Sequence, residues 1–118
     1  MNGIPPAGDG SKSFQDIWAQ YNFLDRNYHH IESKCTTEDQ KQQLRDAYTE
    51  ARVNFWTARE KKFQDDDKTV KDLITRLDKA QQQIEQALEN LRNIVTFLNQ
   101  VTAAVGLATK LVALGAAL

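Results

Sequence analysis

The stretch TVKDLITRLDKAQQQIEQALENLRNIVTFLNQVTAAVGLATKLVALGAAL, Thr69–Leu118, decides the fold class. Val70, Leu77, Ile84, Leu91, Leu98, Val105 and Val112 recur at intervals of seven without a slip. Leu73, Ala80, Ala87, Ile94, Val101, Ala108 and Gly115 hold the second seam position. That spacing keeps one stripe on one side of a helix, the pattern of helices that pack on helices. No proline interrupts the stretch, and only Gly106 and Gly115 weaken it, so it predicts one helix over 69–118. At 1.5 Å per residue such a helix would be about 75 Å long. The small residues Ala80, Ala87 and Ala108 let a neighbour approach closely or leave room for a large side chain.

Upstream, Asp65, Asp66 and Asp67 precede Thr69, which pairs with Asp72 at the spacing of a capping box. Acids also suit the positive end of a helix dipole, so a turn is expected before residue 69. The competing reading is a charged helix running straight through, because neither Gly nor Pro interrupts 59–68. A second helix is expected over 37–64, opened by Thr37 and Gln40. Its stripe is Leu44, Tyr48, Ala51, Phe55 and Ala58, with Trp56 and Phe63 displaced to one side. A first helix over 13–33, opened by Ser13 with Asp16, carries Phe14, Ile17, Tyr21, Leu24, Tyr28 and Ile31 in alternating steps of three and four. Trp18 widens that stripe, and its bulky rings are expected to fill space against the small positions of the last helix.

These readings give an all-α chain of two or three long amphipathic helices, forming a helical hairpin or bundle with coiled-coil heptads in the last. Residues 1–12, with both prolines and three of the five glycines, read as a flexible arm, and 13–118 as a single helical domain. At 118 residues with 41% hydrophobic and 26% charged side chains, the chain has the balance of a folded protein.

Fifteen Lys and Arg against sixteen Asp and Glu leave a net charge of −1, so no whole-protein field gathers nucleic acid. The basic group Arg59, Lys61, Lys62 and Lys68 near Trp56 and Phe63 is cancelled by Glu60 and the three aspartates. One cysteine, Cys35, makes no internal disulfide. The arm lacks the charged and apolar regions of a secretory signal, which sets cytoplasmic residence as the default, with non-classical export or membrane association as the alternatives.

Chemistry-bearing patterns are sparse. His29 and His30 point about 100° apart on a helix, and their spacing to Cys35 matches no metal pattern. Asp65–Asp67 lack the glycine-bearing ligand spacing of a calcium loop and read as a capping cluster. No phosphate loop, nucleophile elbow or zinc-protease helix occurs. The expectation is a non-enzymatic protein with no cofactor, no metal and no nucleic-acid partner.

What stands out is the C-terminal end. From Val101 to Leu118 the helix is apolar on nearly every side, with Leu107, Leu111, Leu114 and Leu118 added to the seam, and Lys110 is the only charge after Arg92. A helix apolar all round has to be buried all round. Two solutions follow, beside a third in which a compact three-helix monomer exposes little at its alanine-rich end. In one, a second copy or a partner helix closes over the end, making an assembly protein that acts through the seam Val70, Leu77, Ile84, Leu91, Leu98, Val105 and Val112. In the other, residues 101–118 enter a membrane as part of a pore-forming, lytic or tail-inserting protein. Lys110 opposes that second solution at about 2.5–3.5 kcal/mol near a bilayer centre. The strict seven-residue repeat, a packing code that lipid does not require, favours the first.

Overall fold

A computed structural model describes residues Gly8–Leu118, so the first seven residues of the expected arm lie outside the described residues. Four helices pack against one another: α1 Lys12–Lys34, α2 Glu38–Ala58, α3 Lys68–Glu89 and α4 Ile94–Ala113. Two strands, β1 Lys61–Lys62 and β2 Ala116–Ala117, add one short antiparallel pair. The chain is all-α as expected, but with four helices in place of two or three.

The extra helix comes from a break in the long C-terminal rod. Asn90 leaves helical geometry at φ −139°, ψ 64°, and Asn93 is extended, its side chain accepting from the Thr96 backbone N–H at 3.1 Å. Asparagine competes with the helix by bonding its own backbone neighbours, which makes it a turn and cap former without any glycine or proline. The heptad survives because the reversal takes the place of one repeat. Leu91 falls in the turn and is half-buried, while Ile84 on α3 and Leu98 on α4 both remain in the core.

The other helix ends follow local capping chemistry. Thr37 accepts from the Gln40 N–H at 3.1 Å, and the Gln40 side chain accepts from the Thr36 N–H in return. α1 begins at Ser11, two residues before the expected Ser13, with the Ser11 hydroxyl accepting from Phe14 N–H. α2 stops at Ala58, short of residue 64. Asp67, rather than Thr69, caps α3 by accepting from the N–H groups of Thr69 and Val70.

Hydrogen bonds between helices fix the directions. Tyr48 donates to Asp25, and the Trp18 ring lies 4.9 Å from that of Phe55, so α1 and α2 are antiparallel. Gln43 donates to Asn99 and Thr102, and Asn54 to Thr109, so α2 and α4 run parallel. Lys12 reaches Asp78, and residues 18–30 of α1 share a groove with 85–89 of α3, so these two helices run parallel. Around the bundle the order is α1, α2, α4, α3, and the 59–67 connection crosses one end diagonally. The aromatic stripe of α1 meets Phe55 and Tyr48 of α2, and its buried Phe14 and Ile17 share a core cluster with Ala108 of α4. Ala80 and Ala87 of α3 pack against the cluster that joins Leu24 and Ile31 of α1 with Val101, Ala104 and Val105 of α4.

The 59–67 connection ties the chain ends together. Asp65 accepts from the N–H groups of Lys12 and Ser13 at the start of α1, and Asp9 accepts from Phe63 N–H at 2.7 Å. The Lys61 ammonium donates to the Val112 and Gly115 carbonyls, neutralising the negative end of α4. Gly115 lies so close that a Cβ there would stand 2.8 Å from the Phe63 ring.

Leu98 is 1% exposed and Leu91 sits in the turn, which separates two residues that hold the same position in successive repeats. Leu98→Ala should cost about 2–5 kcal/mol in urea melts, whereas Leu91→Ala should cost well under half of that. Equal losses at the two positions would mean that the rod is unbroken.

Candidate interaction surface

The expected seam lies inside the chain's own bundle. Val70, Leu77, Ile84, Leu98, Val105 and Val112 are all buried, and only Leu91 is partly open. Of the C-terminal leucines, Leu111 is fully buried and Leu107 half-buried, while Leu114 and Leu118 are exposed beyond the end of α4. α2, α3 and, across the diagonal, α1 supply the cover that the apolar helix requires. Lys110 stands on its exposed side.

The histidines and the cysteine are not brought together. His29 and His30 are exposed on α1, and His29 lies 3.8 Å from Glu32. Cys35 is buried at the end of the helix, where its thiol contacts the Ile31 carbonyl at 3.6 Å. Burial, with Glu32 nearby, pushes that thiol up and keeps it protonated. No group of three metal-ligating side chains occurs among the described residues.

The bundle opens most on its α1–α3 side, the thinnest of the four side-by-side contacts. Here polar groups replace the apolar core. Lys12 bridges Asp16 on its own helix and Asp78 on α3. One turn further on, Gln20 is only 2% exposed, yet among the described residues neither of its amide atoms finds a hydrogen-bond partner, and the same holds for Gln81 Oε1. Each such orphan keeps a desolvation cost of about 1–3 kcal/mol, so this contact is held less tightly than its burial suggests.

Beyond the polar seam lies a groove of about 730 Å³ between the same two helices. Trp18 and Phe23 of α1 and Leu88 of α3 give it an apolar lining. Arg26 and His30 stand on the α1 wall, Glu85 and Glu89 on the α3 wall. Neither Arg26 nor Glu89 makes an ion pair with another described residue. On the other side of α1, a smaller cup of about 240 Å³ is lined by Trp18, Tyr21, Asn22, Asp25, Phe55 and Trp56. The sequence reading missed both features, although Trp18 and Trp56 lie off their helical stripes, which is the position of a ring that leaves the core for the surface.

No protein-family model matches the chain, and neither a curated protein nor a solved structure does.

The polar seam makes stability depend on pH. Burial, and then the hydrogen bond shared with Asp78, push the Asp16 carboxyl up to about 7 against the pull of Lys12. Burial also works to lower the Lys12 ammonium, but its bonds to the two carboxylates outweigh that and leave it raised. A carboxyl raised on folding keeps a proton that the unfolded chain releases above 3.8. Its contribution is thus present at low pH and is lost as the pH rises through about 7. Asp16→Asn should flatten the fall in melting temperature over that window. In the same melts Gln20→Leu should raise stability by about 1–3 kcal/mol by removing two orphaned atoms, and a loss of stability would show that the amide is paired in solution.

Proposed function

We propose that the chain is a non-enzymatic helical assembly module that pairs with a second copy of itself through the α1–α3 groove. The heptads of α3 and α4 then act as an intrachain antiparallel coiled coil that shapes the module, and pairing passes to the face the hairpin leaves open. One observation carries the reading: the groove brings Arg26 and His30 of α1 together with Glu85 and Glu89 of α3, with Trp18, Phe23 and Leu88 as apolar lining.

Such a face complements itself. A two-fold axis parallel to the helices sets α1 of one copy over α3 of the other, with both running in the same direction. Arg26 and His30 then meet Glu85 and Glu89 of the second copy at the same height, and Trp18, Phe23 and Leu88 close on their counterparts. An isologous contact of this kind forms a closed dimer. Its apolar centre supplies the free energy and its charged rim sets the register.

Light scattering tests this directly. The wild type should run at twice the 13.4 kDa chain mass at high concentration. Arg26→Glu and Glu89→Arg should each weaken pairing, and the double variant should restore it. A chain that remains monomeric throughout would remove the proposal.

A second reading, membrane action, rests on α4. Ile94–Ala113 is long and apolar enough to cross a membrane by length and composition. Insertion requires α4 to leave its neighbours and bring Lys110 with it. Lys110→Leu removes that charge and should sharply increase liposome flotation if this reading holds. Absence of flotation in both wild type and variant would exclude it.

A further inference from the structure

The cup between α1 and α2 differs from the α1–α3 groove in both size and chemistry. Phe55 is buried at its floor, with ring centroids of Trp18 at 4.9 Å, Trp56 at 5.1 Å and Tyr21 at 5.5 Å from its own. Trp18 and Tyr21 meet edge to face at 6.2 Å. Trp56 is 50% exposed, which leaves part of its ring open to a ligand in the cup. The polar residues of the cup are Asn22 and Asp25, and no basic side chain lines it.

Aromatic faces carry negative potential, and a cation within about 6 Å of a ring centroid is attracted to it. The protein already uses Trp56 in this way: the Arg59 guanidinium lies 4.9 Å from its ring centroid, although Arg59 does not line the cup. Asp25 adds a full negative charge. Its Oδ1 accepts from the Tyr48 hydroxyl at 2.6 Å, which orients the carboxylate and leaves the second oxygen for another partner. Burial, followed by the bond to Asp25, raises the Tyr48 phenol and keeps it a donor.

We propose that this cup binds a quaternary ammonium group of the choline type, with Trp18, Tyr21 and Trp56 as its walls and Asp25 as its counter-charge. Methylation is favoured by the ring faces. A primary ammonium brings three N–H donors, which only the free Asp25 oxygen, the Asn22 carbonyl and the Tyr21 hydroxyl could meet, and the aromatic walls that make up the rest of the lining accept none. A quaternary ammonium has no donor to leave unpaired, and its methyl groups gain from contact with the rings. At about 240 Å³ the cup suits one such headgroup. It falls below the roughly 300–1,000 Å³ of pockets that take drug-sized ligands.

The test is titration of the full chain with choline chloride, followed by the indole N–H resonances of Trp18 and Trp56. A parallel titration uses 3,3-dimethylbutanol, the neutral carbon isostere. Saturable shifts with choline, with the isostere at least about tenfold weaker, are expected. Trp56→Ala should weaken choline binding about tenfold, and Asp25→Asn should weaken it several-fold, on the same scale. Neither residue lines the α1–α3 groove, so self-association should be unchanged in both variants, and this separates the cup from the pairing face. Flotation with phosphatidylcholine against phosphatidylglycerol vesicles identifies the source. Selective binding to the former assigns a lipid headgroup, and choline binding without flotation assigns a free solute. Equal affinity for the isostere, or no saturable shift with choline, would overturn the proposal.

Discussion

Everything in this fold answers to the need to cover α4. Ile94–Ala113 carries a single charge, Lys110, and buries Phe97, Leu98, Val101, Ala104, Val105, Ala108, Leu111 and Val112. An element of that composition has no stable place at the edge of a two-helix hairpin, because one neighbour covers only one stripe. The chain places α3 and α2 on its two flanks and α1 across the diagonal. α1 contributes least to this cover, so its other contacts can be more polar without exposing the core. The Lys12–Asp16–Asp78 bridge and the orphaned Gln20 lie on that less demanding side.

The second constraint is the diagonal crossing from α2 to α3. A connection over the end of a bundle exposes backbone groups and stretches the chain, and here it is secured by the termini. Asp65 caps α1, Asp67 caps α3, Lys61 neutralises the end of α4, and β1 holds β2. A run of three acids in sequence thereby serves two helix N-termini at once, the most favourable use of negative charge near a helix dipole. The exposed Leu118 is held by its N–H to the Glu60 carbonyl.

The helices, their apolar stripes and the turn before α3 were legible because period and capping are local properties. The reversal at Asn90–Asn93 was not. The seven-residue repeat runs through it unbroken in sequence, and a four-residue turn that replaces part of one repeat leaves the register of both halves intact. The available sign was chemical: charge thins to the single Lys110 after Arg92, at the boundary between α3 and the more apolar α4. Partner choice was equally hidden, since a heptad states that a helix packs but not on what. Ala80 and Ala87 accept α4 as readily as they would accept a second chain. For the surface sites, Trp18 and Trp56 stood off their stripes in sequence, but a cup forms only when α1 and α2 meet at Phe55, a pairing that depends on the tertiary fold.

An amphipathic stripe pays its way in a monomer only if the core consumes it, and here the core consumes the heptads almost completely. The stripe of α1 is wider than its neighbours can bury. α1 turns Phe14, Ile17, Leu24 and Ile31 inward and leaves Trp18 and Phe23 half-covered, both along the α1–α3 groove. Trp18 stands at the ridge between groove and cup and lines both. A change that shifted its ring would therefore reach two surfaces of unlike chemistry, one lined by opposed charges and one by aromatic faces. The excess width of the α1 stripe thus feeds both candidate surfaces, with Phe55 and Trp56 of α2 completing the cup, while the regular heptads of α3 and α4 serve to hold that helix in place.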